Sequence, residues 1–122
     1  MFQEPADRHI TRIDGHLVVD VGDGGAREIG EIYRSLAVVG VKQRVRRILV
    51  RVANDDPAGE RALRDAVTTM LLAGIPADFK IALVAGTPRI EARYRDARRD
   101  LCLANVNTRI FDNENEATLW LA

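Results

Sequence analysis

Asp55 and Asp56 are adjacent carboxylates between an apolar run, Ile48-Leu49-Val50-Arg51-Val52, and a helical pattern. Strand-to-helix turns of this kind are where α/β sheets seat phosphates, ligands and nucleophiles. An acidic pair can hold Mg²⁺, which takes one or two carboxylates and keeps several waters. A magnesium phosphotransfer site also wants a lysine or threonine close in space, and the sequence points to none. Asp56 precedes Pro57. A carboxylate that accepts backbone N–H groups, followed by a proline that needs no donor, makes a helix start, and this accounts for Asp56 in full. Asp55 is left unexplained. Capping is preferred to metal binding, and no metal or cofactor is expected.

The other reactive side chains are few. Zinc needs three or four Cys, His or carboxylate ligands, whereas the chain has one cysteine and two histidines. His9 and His16 belong to a hairpin whose two-residue turn does not set them opposite each other, so both read as ordinary sheet or surface residues. Cys102 lies beside the inner stripe of a helix and reads as a small buried hydrophobe. Ser35 is the only serine; it sits mid-helix with no base nearby in sequence. "GDGG" at 22–25 has neither the spacing of a dinucleotide loop nor the lysine of a P-loop. It reads as a turn whose glycines supply positive φ. The arginines of "PRIEARYRDARRD" alternate with Glu91, Asp96 and Asp100. That mixture suits a solvated face with internal partners, such as Glu91 with Arg95, better than a nucleic-acid surface.

The totals narrow the classes further. A chain of 122 residues suits one domain, and 18 basic residues balance 18 acidic ones. Zero net charge argues against generic binding to nucleic acid or anionic membrane. One cysteine allows no internal disulfide. No signal-peptide pattern opens the chain, and no apolar run reaches the length of a membrane span. The expectation is a cytoplasmic protein.

The elements that position these residues follow from periodicity. Residues 9–21 read as a hairpin around Asp14-Gly15. Residues 26–39 read as a helix with an inner stripe of Ile29, Ile32, Tyr33, Leu36 and Val39, stopped by Gly40. A strand over 47–53 leads to a helix over 57–73, ended by Gly74 and Ile75-Pro76. A strand over 79–85 leads to a helix opened by Thr87-Pro88, with Ile90, Tyr94, Ala97 and Leu101 inward. A last strand, 108–111, precedes a short helix in which Asn113 and Glu116 have capping-box spacing. This order predicts a mixed α/β domain: a mostly parallel sheet with an N-terminal hairpin and alternating helices.

With that order, the chain resembles the STAS domains, and within them the SpoIIAA-like group of small bacterial proteins. The resemblance runs from the hairpin to the last helix. Its most specific local feature is the ending Phe111-Asp112, Glu116-Ala117, Trp120-Leu121; "KIALVAG" followed by a helix is similar too. In anti-sigma-factor antagonists of this group a turn resembling D-S-S-G opens the second helix, and a partner kinase phosphorylates the second serine. Here the turn reads Asp56-Pro57-Ala58-Gly59, and no serine or threonine lies between 53 and 67. The resemblance therefore implies a non-enzymatic regulatory module that binds a protein partner without the phosphoserine switch. It places the partner surface at Asp55, Asp56, Ala58, Gly59, Glu60 and Arg61. The alternative is a small-molecule or lipid-binding domain, since the group shares a broad fold with Sec14-type domains. A homodimer is left open, as one way to cover an edge strand.

Overall fold

The computed structural model describes residues 9–22 and 24–122. Asp23 of "GDGG" and the leading residues 1–8 lie outside them. The elements run β1 (Ile10–Ile13), β2 (His16–Val21), α1 (Ala26–Gln43), β3 (Arg47–Val52), α2 (Pro57–Leu72), β4 (Lys80–Ala85), α3 (Pro88–Leu103), β5 (Asn107–Phe111) and α4 (Glu114–Leu121). The expected order is observed. β1 and β2 pair antiparallel around Asp14 and Gly15, both at positive φ, as a tight hairpin requires. β2, β3, β4 and β5 then pair in parallel, in the order β1-β2-β3-β4-β5.

Strand alternation divides the sheet into two faces. Leu17, Val19, Ile48, Val50, Ile81 and Leu83 join one apolar cluster with residues of α1, α2 and α3. Crossovers of one hand between successive neighbours put all three helices on the same side. The opposite face carries Val18, Leu49 and Ala82, which pack against Ala117 and Leu121 of α4. The residues of the distinctive ending are thus the ones that seat α4. Phe111 and Trp120 meet with ring centroids 5.6 Å apart, and Lys80 lies 5.2 Å from the Trp120 ring. Arg51 adds an ion pair: Nη2 donates to Glu114 Oε2 at 3.1 Å while Nη1 reaches Asp20 Oδ2 at 3.2 Å.

Two expectations about glycine are corrected. Gly40 does not stop α1, which continues to Gln43 and ends at Arg44 with φ 48°. A Cβ on Gly40 would lie 2.8 Å from Met70 Cε, so glycine serves there to bring α1 close to α2. In the 22–25 turn, Gly25 is extended at φ −73°, and the described glycines with positive φ are Gly15 and Gly74. Gly74 does end α2: its φ is 92°, and the next amide, Ile75, donates to Met70 O at 3.1 Å.

Candidate functional site

The 54–61 turn sits at the carboxyl ends of the parallel strands, between β3 and α2, and its backbone is held from three sides. Asn54 Nδ2 donates across to Gly22 O beyond β2. The Asn54 Oδ1 accepts from Asp56 N at 3.1 Å. The Asp56 Oδ1 accepts from Ala58 N at 2.8 Å, and Gly59 N donates to Asp56 O at 3.0 Å. Asp56 is therefore the N-cap, as its place before Pro57 predicts.

Asp55, unexplained by capping, ties the turn to α3. Its Oδ2 lies 2.5 Å from Arg89 Nε, and its backbone oxygen accepts from Arg93 Nε at 3.0 Å. The two carboxylates thus meet different partners, a guanidinium for one and an amide for the other. Among the described residues no group of three His, Cys, Asp or Glu is arranged to hold a metal ion.

Below the turn lies a feature that helical spacing alone does not reveal. Tyr33 and Tyr94, both fully buried stripe residues, meet hydroxyl to hydroxyl at 3.1 Å. Burial pushes the Tyr94 phenol up to about 12 and the Tyr33 phenol well above its ordinary value. Gly59 rests directly on Tyr94: a Cβ there would come 2.3 Å from the Tyr94 Oη. Gly59 is buried and makes room for a ring. The signal for this was in the sequence, since these are the chain's two tyrosines and both fall on inner stripes, but nothing in the spacing says that their hydroxyls meet.

The six residues assigned to the partner surface thus divide. Asp55, Asp56 and Gly59 have internal partners. Glu60 is largely covered, with 16% of its side chain exposed, and lies 3.5 Å from Arg64. Ala58 is half-buried, and Arg61 is exposed. The structure brings all six into one turn, with Arg61 the charged side chain that projects most freely from it.

The other candidates are placed as follows. His9 Nε2 lies 3.6 Å from Glu28 Oε1, while His16 is buried in the sheet. Cys102 is exposed rather than buried. Its thiol donates to Thr108 O at 3.4 Å, because its position falls just outside the α3 stripe and points toward β5. The Glu91–Arg95 pair is not among the ion pairs of the described residues. Arg99 keeps partners on the helix itself, Asp96 at 3.6 Å and Asp100 at 3.7 Å, while other α3 arginines reach different elements: Arg89 and Arg93 to the turn, and Arg98 Nε to Thr108 O at 3.3 Å. Asp100 receives Arg64 of α2 at 2.7 Å. The mixed charge of α3 thus joins it to its neighbours as well as to water.

Open α/β sheets bind ligands in the crevice where strand order reverses and successive helices go to opposite faces. Among the described residues the order never reverses. The helices after β2, β3 and β4 share one face, so their amino ends form a continuous row without that crevice. No described helix is long and apolar enough to cross a membrane. A scan against protein-family models, a search of curated proteins and a search of solved structures each found no match.

Proposed function

We propose that this chain is a non-enzymatic, STAS-like regulatory module that docks a protein partner on the 54–61 turn and the first turn of α2. The observation that supports this reading is the way the turn is held. Its carboxylates and amides are engaged internally, across β2, α2 and α3, which leaves a preformed surface rather than a set of free reactive groups. A preformed surface binds with little ordering cost. The absence of a hydroxyl residue from 53 to 67 fits a module that stays in one state at this turn. The sheet order, which makes no switch-point crevice, favours protein docking over a ligand seated at the strand ends.

The test uses a photo-crosslinking residue at position 61, with position 95 of α3 as a control, in the protein's native cellular setting. The reading expects one protein to be captured at 61 and not at 95. That protein, purified, should bind the parent chain and bind Arg61→Glu about tenfold more weakly, with unchanged unfolding. Equal capture at both positions, or purified binding indifferent to Arg61→Glu, would sink it. Asp55 is the poorer choice for this test, because its loss also frees Arg89.

A further inference from the structure

On the outer side of the three-helix layer, α1 and α2 leave a groove between them of about 710 Å³. Its floor is made of small and apolar residues: Gly30, Ala37 and Val41 from α1, Ala62 and Ala66 from α2. Val38 stands in it at 56% exposure. The two helices run in the same direction, since Gly59 near the start of α2 neighbours Ile29 and Gly40 near the end of α1 neighbours Met70. The walls differ in sign. Arg34 and Lys42 line the α1 side, and Asp65 lines the α2 side. Among the described residues none of these three makes an ion pair, although neighbouring arginines do.

We infer that this groove is the interface of a two-fold homodimer in which α1 of each copy lies over α2 of the other. Two arrangements stack the helix pairs face to face. A two-fold axis lying across the helices sets α1 on α1 and brings Arg34 toward Lys42, which is repulsive. An axis running along the groove sets α1 on α2 and brings Arg34 toward Asp65 of the second copy, twice over by symmetry. The small floor residues let the two backbones approach, and Val38 of each copy enters the apolar centre. A second copy thus supplies both the apolar surface and the opposite charge that each wall lacks. On α2 this groove begins at Ala62, directly after the 54–61 turn, but none of residues 54–61 lines it, so substitutions at Val38, Arg34 and Asp65 test it without altering the turn.

The experiment is sedimentation velocity and equilibrium on the whole chain, from low micromolar to about 0.5 mM. Denaturant unfolding serves as the control for folding. The parent chain is expected to sediment as a dimer, and Val38→Asp as a monomer whose unfolding midpoint matches the parent's when both are diluted to where the parent is monomeric. Arg34→Glu and Asp65→Arg should each weaken the dimer about tenfold, and the two together should restore it to within about threefold of the parent. A parent chain that stays monomeric throughout would overturn the inference. So would a dimer indifferent to Val38→Asp, or single effects that merely add in the double variant. A native mass spectrum showing a monomer with a tightly held mass of a few hundred daltons, lost in Val38→Asp, would also overturn it and assign the groove to a small ligand.

Discussion

Gly59→Ala gives the sharpest test of how the turn is built. The added Cβ would lie 2.3 Å from the Tyr94 Oη, against the 3.0 Å below which real Cβ contacts essentially never fall. Tyr94 or α2 must therefore move by at least about 0.7 Å, in a site where the ring is fully buried. Overpacking of this kind costs about 1–3 kcal/mol. Moving the hydroxyl also strains its bond to Tyr33, and a buried hydroxyl left without a partner costs about 1–3 kcal/mol. Against this, alanine favours the helix over glycine by about 0.5–1 kcal/mol. The expected net loss is about 1–3 kcal/mol, read as a fall in the urea midpoint at constant slope. Tyr94→Phe removes the atom in collision, and the next contact, Tyr94 Cζ at 3.3 Å, needs only a small adjustment. The double variant should therefore be more stable than the sum of the single losses by about 1–2 kcal/mol. If Gly59→Ala is as stable as the parent, or if the two substitutions simply add, the contact does not control this site.

Two pH experiments probe other parts of the fold. Both tyrosines are buried with raised phenol pKa values, so the stability they contribute is present below about pH 10 and lost as pH rises toward and beyond about 12. Absorbance of the tyrosinate should stay flat through pH 10 and then rise together with unfolding; an ordinary titration centred at 10 would mean that a tyrosine is exposed. Glu114, held below the usual carboxylate range by its hydrogen bond from Arg51, contributes stability above about pH 4.5 that is lost as pH falls through its depressed value. Glu114→Gln should bring the smaller loss in acid, so that parent and variant converge as pH falls or salt rises. A gap between them that is independent of both would mean that the ion pair contributes nothing.

The fold was legible because its signals are local. Apolar stripes, Thr87-Pro88, Asp56-Pro57 and Gly74 each mark an element within a few residues of chain, and the structure places them accordingly. What could not be read is what depends on distant partners. Gly40 follows an apolar stripe and resembles a helix end, but its role is set by Met70 of another helix. Asp55 had no local explanation, because Arg89 and Arg93 come from the far side of β4. Cys102 follows the buried Leu101 and shares its apolar character, but one step around the helix is enough to expose it. The candidate turn was legible as a place, while the division of its side chains between internal ties and open surface was not.

Strand order that follows chain order also has a kinetic consequence. Each parallel pairing, Val18 with Leu49, Leu49 with Ala82 and Ala82 with Arg109, closes a span of roughly thirty residues. No strand has to insert between two that are already paired, so the sheet can grow by accretion, one βα unit at a time. Each stage of that growth leaves a bare strand edge. Until α4 docks, Leu49 and Ala82 also face water on the side the other helices never cover. The hazard for this chain is therefore a late one: a nearly finished sheet, open along β4 and uncovered on one face, is the species most exposed to pairing with the wrong neighbour.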